Sequence, residues 1–484
     1  MNAMQALEQG QKVYLAFNSK KEAFKTYSAL SIAFPEKKGL YISSDNAGDA
    51  ENQAFFNNVN EVSKRYDYLV CTPSVSTGVS IDKGHFDFVG GVFNAQVNTA
   101  NDCMQALGRI RNHKTVHVFC DKRQAFNSLN PHVIASKWLS THQHDLGLMN
   151  LNQEGQRILL NPDYEQLTLL VTQARLRSFN DFYLQFALLA LHDGMKLGYF
   201  DTPLDETTQQ QLRQFKKACL EQDTSLISKE QLPLTAAELL ALAQKPRKTM
   251  SETRLYKKQQ LIEFYNLSER DEESITAMAN MDNDGRFKKQ VLNLELALGD
   301  RALAQKRFVA QLEEGAQFAA DLTHYATLQL LYKKVLDTLH LTSPWNTLAV
   351  HDYQYTKDTI LESGFVAWIE EHRTILQGLI ALPSKQQLNK DPLRFLSLLL
   401  GRMGLKQKRV GRAELGIYHL EIKRINLLNA LIVRRAKGAS GISAPLDTSS
   451  CTTKEPSTTE FFIETFEKIK RFFTQKSTPI PAFT

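Results

Sequence analysis

YDYLVCTPSVSTGVSID, residues 66–82, joins a short apolar run to a loop of hydroxyls and a single glycine. Residues 66–71 are too few for a helix, and apolar side chains at consecutive positions suit a strand buried on both faces. In the loop that follows, Thr72 and Ser74 offer hydroxyls to a phosphate, and Gly78 lets the backbone approach closely. A buried strand that empties into such a loop belongs to a parallel sheet with helices on its faces.

Working outward, the same pattern recurs. KVYLAF (12–17), GLYIS (39–43), FDFVGGVF (86–93) and TVHVFC (115–120) are four more strand-like runs. SKKEAFKTYSALSIAF (19–34) has helical spacing through Phe24, Tyr27, Leu30 and Phe34, with Ser19 placed as its cap. The alternation predicts an α/β domain over 1–125. From 126 to 390 the pattern becomes helix after helix, as in AAELLALAQ and THYATLQLLYKKVLDTL, and strand signals nearly vanish. DPLRFLSLLLGRMG (391–404), the hairpin LKQKRV–GRAELG–IYHLEI and the closing KRINLLNALIVRR predict a small winged-helix-like module over 391–437. Residues 438–459 are a Ser-, Thr- and Pro-rich linker, and 460–484 hold an amphipathic helix on Phe462, Phe466, Ile469 and Phe473.

Charge is unevenly placed. The chain of 484 residues carries a net charge of +6, with 43% hydrophobic and 23% charged residues. Residues 394–437 hold eleven Lys and Arg against Glu414 and Glu421, leaving 47 basic against 50 acidic residues elsewhere. That concentration is how a phosphate-binding surface looks. Lys406, Lys408, Arg409 and Arg412 cluster on the hairpin as candidate nucleic-acid contacts, which makes DNA the expected partner. The five cysteines (Cys71, Cys103, Cys120, Cys219 and Cys451) form no C-x-x-C, which argues for a reducing compartment and against a zinc site. No apolar run approaches the ~18 residues that cross a bilayer, and no signal peptide is recognisable, so no membrane partner and a cytoplasmic location are expected.

Downstream of the opening stretch lies QALGRIRN, residues 105–112. Gln105 and Arg109, four apart, share a face of a predicted helix, with Gly108 giving clearance. Arg109 and Arg111 point the same way only if the helix ends there. In order, these segments resemble the second RecA-like domain of superfamily 2 helicases, of the origin-of-replication-binding and plasmid primase–helicase type. AFNSKKEAFKTYSAL resembles motif IV, TPSVSTGVSID motif V and QALGRIRN motif VI, while residues 395–422 resemble the tail of the plasmid replication proteins. Together these cover about 120 residues well and about 45 more loosely.

The resemblance implies catalytic roles for Arg109, as the arginine finger, and for Arg111. It places Gly78, Ser80 and Gln105 near the nucleotide, and Ser19, Thr72 and Ser74 on nucleic acid. Two departures stand out: Ser80 takes the place of the aspartate that commonly ends motif V, and Arg111 follows Arg109 by two residues rather than three. The implied cofactors are ATP and Mg2+, yet no G-x-x-x-x-G-K-[ST] occurs. A partner chain carrying the Walker A/B domain, or truncation of that half, is therefore expected. Alone the chain should be inactive as an ATPase, because positioning phosphates and magnesium is most of the catalysis.

RDEES (270–274) reads as a solvated helix end, and NMDNDGRF (280–287) as a turn, since Val291 stands where a calcium loop needs Glu. No protein-bound metal is expected. A second function stays open, that of a DNA-binding replication accessory whose RecA-like fold is a non-catalytic scaffold, and so does a fragment of a non-replicative superfamily 2 enzyme.

Overall fold

The computed structural model describes residues 3–73, 79–95, 97–111, 113–149, 161–199, 206–231, 235–316, 318 and 321–438, without 412–415. The chain divides into two compact units. Of the described residues, one holds those up to Asn127 and Arg175–Gln260, the other Ser128–Ala174 and those from Leu261 to Gly438.

In the first unit all five apolar runs form strands: β1 (Val13–Phe17), β2 (Gly39–Ile42), β3 (Tyr68–Cys71), β4 (Phe88–Phe93) and β5 (Val116–Cys120). They pair in the order β2-β3-β1-β4-β5, every pair parallel. All five residues of β1 are buried, the pattern of a strand covered on both faces. Side chains alternate across the sheet. Val13, Leu15 and Phe17 therefore join Leu30, Val70 and Phe88 in one core. Tyr14 and Ala16 join Leu69, Val89, Phe93, Leu107 and Phe182 in the other.

Capping fixes where the helices begin. Ser19 ends β1's exit and caps helix Lys20–Ala33, its Oγ accepting from Glu22 N, as its place in the sequence predicts. Thr99 and Asp102 form a capping box ahead of helix Ala100–Leu107. Its first amide is held across the fold, Ala100 N donating to Ser178 Oγ at 2.8 Å. The segment before helix Met250–Tyr265 is tied to the loop that follows β2. Gly48 N donates to Lys248 O at 2.8 Å and Met250 N to Asp49 Oδ1 at 3.0 Å. A Cβ on Gly48 would stand 2.6 Å from the Arg247 carbonyl, so this close passage requires glycine.

Among its described residues the second unit is helical apart from a two-stranded antiparallel hairpin, β6 (Gln407–Val410) with β7 (Ile417–Leu420). Helix Pro392–Arg402 precedes the hairpin and helix Ile422–Gly438 follows it, the predicted order of elements. Helix Tyr325–Thr338 begins at His324, whose side chain makes no capping bond. The missing acceptor comes from helix Pro131–Met149: Asp145 Oδ1 accepts from Thr327 N at 2.8 Å and from Thr327 Oγ1 at 3.2 Å. Burial pushes the Asp145 carboxyl up to about 6, and pushes the buried His324 down to about 4, with His142 contributing. Linker 439–459 and tail 460–484 lie outside the described residues.

Candidate functional site

The connection leaving β1 runs to one side of the sheet, toward β2, and that leaving β4 runs to the other, toward β5. Ligands of open parallel sheets bind at the carboxyl ends of strands where the winding reverses, here between β1 and β4. A reciprocal pair spans that crevice: Asn18 Nδ2 donates to Asn94 O at 2.8 Å, and Asn94 N donates to Asn18 Oδ1 at 2.9 Å. Ser19 stands next to this pair with its hydroxyl on the helix cap.

Thr72 leaves β3 only 5% exposed, its hydroxyl 3.5 Å from the Ile42 carbonyl. Ser74 and Gly78 lie outside the described residues. From Val79 the chain is held by a side chain that sequence reasoning missed, Asn60. Its Oδ1 accepts from Asp82 N at 2.9 Å and Lys83 N at 3.3 Å, and its Nδ2 donates to Ser80 O at 3.5 Å. An asparagine inside an ordinary polar stretch carries no local sign of this role. Beside it Glu61 takes Lys83 at 2.7 Å and Lys64 at 3.0 Å, and these two ammonium groups hold its carboxyl down at about 2.

Helix Ala100–Leu107 ends on Gly108, which corrects the expectation that Gln105 and Arg109 share a helical face. Gln105 is an exposed helical residue, whereas Arg109 lies beyond the helix in a segment that pairs with the exit from β3. Ile81 N donates to Arg109 O at 2.8 Å and Arg111 N donates to Ile81 O at 3.2 Å, a parallel bridge centred on Ile81 and Ile110. In extended backbone, residues two apart project to the same side. Arg109 Nη1 thus donates to Val79 O at 3.1 Å, and Arg111 Nε donates to Ser80 Oγ at 3.2 Å. Ser80 Oγ in turn donates to Asp82 Oδ1 at 2.6 Å. The Arg111 side chain is 61% exposed, while Arg109 Nε is buried and without a hydrogen-bond partner among the described residues. Ser80, Arg109 and Arg111 are therefore brought together; Gln105, Thr72 and Ser19 are placed on separate elements.

Beneath Arg109, Tyr14 donates its hydroxyl to Ala106 O at 3.0 Å and accepts from Cys71 Sγ at 3.1 Å. Burial raises both acids, Cys71 to about 12. Cys103 and Cys120 are likewise pushed up to about 12 by burial, so these thiols stay protonated and unreactive.

In the second unit Lys406, Lys408 and Arg409 are exposed on the hairpin, Lys408 pairing with Glu421 at 2.8 Å. Arg412 lies outside the described residues. Three further cations of the basic segment have structural partners. Arg424 donates to Gly404 O at 2.8 Å and lies 4.4 Å from the Phe287 ring centre. Arg434 is 6% exposed and donates to Asn266 O. Arg435 meets Glu295 at 2.5 Å and lies 3.7 Å from the Phe264 ring centre. The segment's charge count thus overstates its exposed positive surface.

The two acidic stretches resolve locally. Asp271 caps helix Glu272–Asp282, accepting from Ser274 N. Asn283, Asp284 and Gly285 form a left-handed turn, and Asp282 accepts from Tyr265 OH at 2.6 Å and from Lys288 N at 2.9 Å. Among the described residues no group of three or more His, Cys, Asp or Glu is placed to hold a metal ion. Nor is any described helix long and apolar enough to cross a membrane.

Among known proteins, this chain is similar to the "Putative helicase/primase complex protein" of African swine fever virus. A warthog isolate's protein is 29% identical over 280 residues, 54% of this chain and 26% of its own length. That of the Badajoz strain is 28% identical over 280 residues with the same coverage. An uncharacterized protein of the cyanobacterium Picosynechococcus is 34% identical over 130 residues, 25% of this chain and 13% of its own length. The chain spans about a quarter of the length of the viral relatives it matches. No family model matches it, and no solved structure does. This distant homology supports a helicase-superfamily relationship.

Proposed function

We propose that this chain supplies the second, RecA-like lobe of a DNA replication helicase of the origin-binding or primase–helicase type. On this reading residues 1–125 are that lobe, 126–390 a helical region and 391–437 a winged-helix-like DNA-gripping module. Residues 438–459 tether the amphipathic segment 460–484. The observation that carries the reading is the bridge between Val79–Asp82 and Arg109–Arg111, which gathers Ser80 and two guanidiniums at one place. Segments that resemble motifs V and VI meet there, although they lie some thirty residues apart.

Two guanidiniums suit the negative charge of a triphosphate. An arginine has five N–H donors, and Arg109 has one on Val79 O while its Nε is buried and unpartnered. Arg111 is exposed and braced by Ser80 Oγ. ATP, when bound, supplies a phosphoryl group whose developing charge such arginines neutralise. Magnesium finds no ligand set among the described residues, and these 484 residues contain no phosphate-cradling Walker loop. Turnover therefore needs a Walker A/B domain beyond these residues, on the same polypeptide or on a partner chain. Lys406, Lys408 and Arg409 on the hairpin grip DNA phosphates, with Arg412 beside them in sequence.

A second reading, a replication accessory with a non-catalytic scaffold, is favoured by one contact. Arg109 Nη1 clamps the Val79 carbonyl, which is a structural use of the same side chain. The experiment that separates the two is ATP hydrolysis with single-stranded DNA, for the chain alone and for the chain mixed with a Walker-bearing first lobe. Activity only in the mixture supports the split site. DNA binding without hydrolysis in the mixture leaves the accessory role.

A further inference from the structure

Between helices Tyr325–Thr338 and Lys357–Glu362 the second unit carries a short braced turn. Ala349 N donates to Leu341 O at 2.9 Å, and an antiparallel bridge between Thr342 and Leu348 closes the turn. Inside it Trp345 N donates to Ser343 Oγ at 3.2 Å, and Ser343 Oγ meets Thr347 Oγ1 at 3.2 Å. Asn429, on helix Ile422–Gly438, grips the turn's foot with both ends of its amide. Leu348 N donates to Asn429 Oδ1 at 2.8 Å, and Asn429 Nδ2 donates to Leu348 O at 2.9 Å. At the tip of this fixture Trp345 is 82% exposed. The largest apolar side chain is thus held on a stiff support and left in water.

A row of rings runs from the foot of the turn to the hairpin. His340 and Tyr353 are 5.1 Å apart, Tyr353 and Tyr355 6.2 Å at 24°, and Tyr355 and Tyr418 6.4 Å at 26°. Tyr355 and Tyr418 exchange two backbone hydrogen bonds of 2.9 Å, which lays the 353–355 segment against β7. Across the hairpin, Tyr418 stands opposite Arg409. Lys406 and Arg409 are exposed, and Arg409 has no carboxylate partner among the described residues. The nearby acids are engaged, Glu421 with Lys408 and Asp352 with His419 at 3.1 Å.

We propose that this turn and the neighbouring hairpin together bind single-stranded nucleic acid by base stacking, with Trp345 as the leading platform. The half-buried Tyr353 and Tyr418 continue the platform, Arg409 on the Tyr418 side of the hairpin follows the phosphates, and Lys406 adds positive charge from the hairpin's other side. Stacking aromatics beside cations is the combination that holds single strands without reading sequence, because every unpaired base has a free face. A duplex hides those faces, so the aromatic contribution is specific to single strands. The inference rests on the DNA-binding reading above and adds the strand preference and the residues that create it.

The test is fluorescence anisotropy of the full chain with labelled oligo(dT) and with a labelled duplex of equal length, at graded salt. W345A weakens oligo(dT) binding about tenfold or more, at unchanged salt slope, and leaves duplex affinity alone. W345F retains most of the affinity. K406A with R409A flattens the salt slope for both probes. Because Trp345 is 82% exposed, its truncation opens no cavity, and an unchanged melting curve verifies the fold. W345A binding oligo(dT) as tightly as the parent, while K406A with R409A still flattens the slope, overturns the stacking proposal alone. A parent chain that binds neither probe overturns the DNA reading as well.

Discussion

Replacing Arg109 by alanine removes one hydrogen bond, Nη1 to Val79 O at 3.1 Å, and one buried unpartnered donor, Nε. The bond, made by a charged group, contributes about 1.5–3 kcal/mol, and relieving the orphaned donor returns about 1–3 kcal/mol. The backbone bridge survives, since Ile81 N and Arg111 N keep their carbonyl partners. The net change in stability therefore lies within about 1–2 kcal/mol of zero, a shift of only a few degrees in Tm for a unit of roughly two hundred residues. As an arginine finger the same side chain carries about a thousandfold to a hundred-thousandfold in turnover, or about 4–7 kcal/mol of the barrier. Thermal melting of the variant, alongside DNA-stimulated ATP hydrolysis in the presence of a Walker-bearing lobe, separates the two effects. Expected is a nearly unchanged Tm with turnover lost; R109K does not restore it, because an ammonium lacks the guanidinium fork. Turnover within about tenfold of the parent would refute the catalytic reading. A fall in Tm beyond about ten degrees would refute the energetic argument.

Three further outcomes follow from the geometry. N60A frees the Asp82 and Lys83 amides at a cost of about 1 kcal/mol, so hydrogen exchange at Asp82 accelerates; unchanged protection there would mean the Asn60 contacts do not hold the segment. E295A leaves Arg307 and Arg435, whose side chains are 17% and 21% exposed, without their shared carboxylate, and lowers stability to urea by about 3 kcal/mol; a loss under about 1 kcal/mol would count against it. The third outcome concerns pH. Burial holds Asp145 at about 6, so its contribution is full below the unfolded pKa of about 4 and is lost as pH rises through about 6. His324, held at about 4, acts in the opposite sense: its contribution is full above about pH 6.5 and fades as pH falls toward 4. D145N keeps an acceptor for Thr327 N and removes the buried charge. Its melting temperature should exceed the parent's at neutral pH, by as much as about 3 kcal/mol in stability, with the gain gone near pH 4; a gain independent of pH contradicts the assignment.

What the sequence by itself determined is what short segments impose on themselves. Five apolar runs became the five strands of a parallel sheet, because a strand buried on both faces is written as consecutive apolar residues. Ser19 marked a helix start because a cap satisfies amides only two or three residues away. Tertiary structure decided the rest. Its spacing from Gln105 suits Arg109 to a helix, but the helix stops at Leu107, and Arg109 joins Ser80 only through a backbone bridge across some thirty residues. Asn60, Asp145 and Asn429 act on segments brought to them by folding, and nothing in their own neighbourhoods marks them. The basic run after Arg394 shows the same limit: Arg424, Arg434 and Arg435 are turned to interior carbonyls and rings, while Lys406 and Arg409 stay in water. Charge is a property of composition, but exposure depends on which distant backbone lies within hydrogen-bond reach, and only the folded chain sets that.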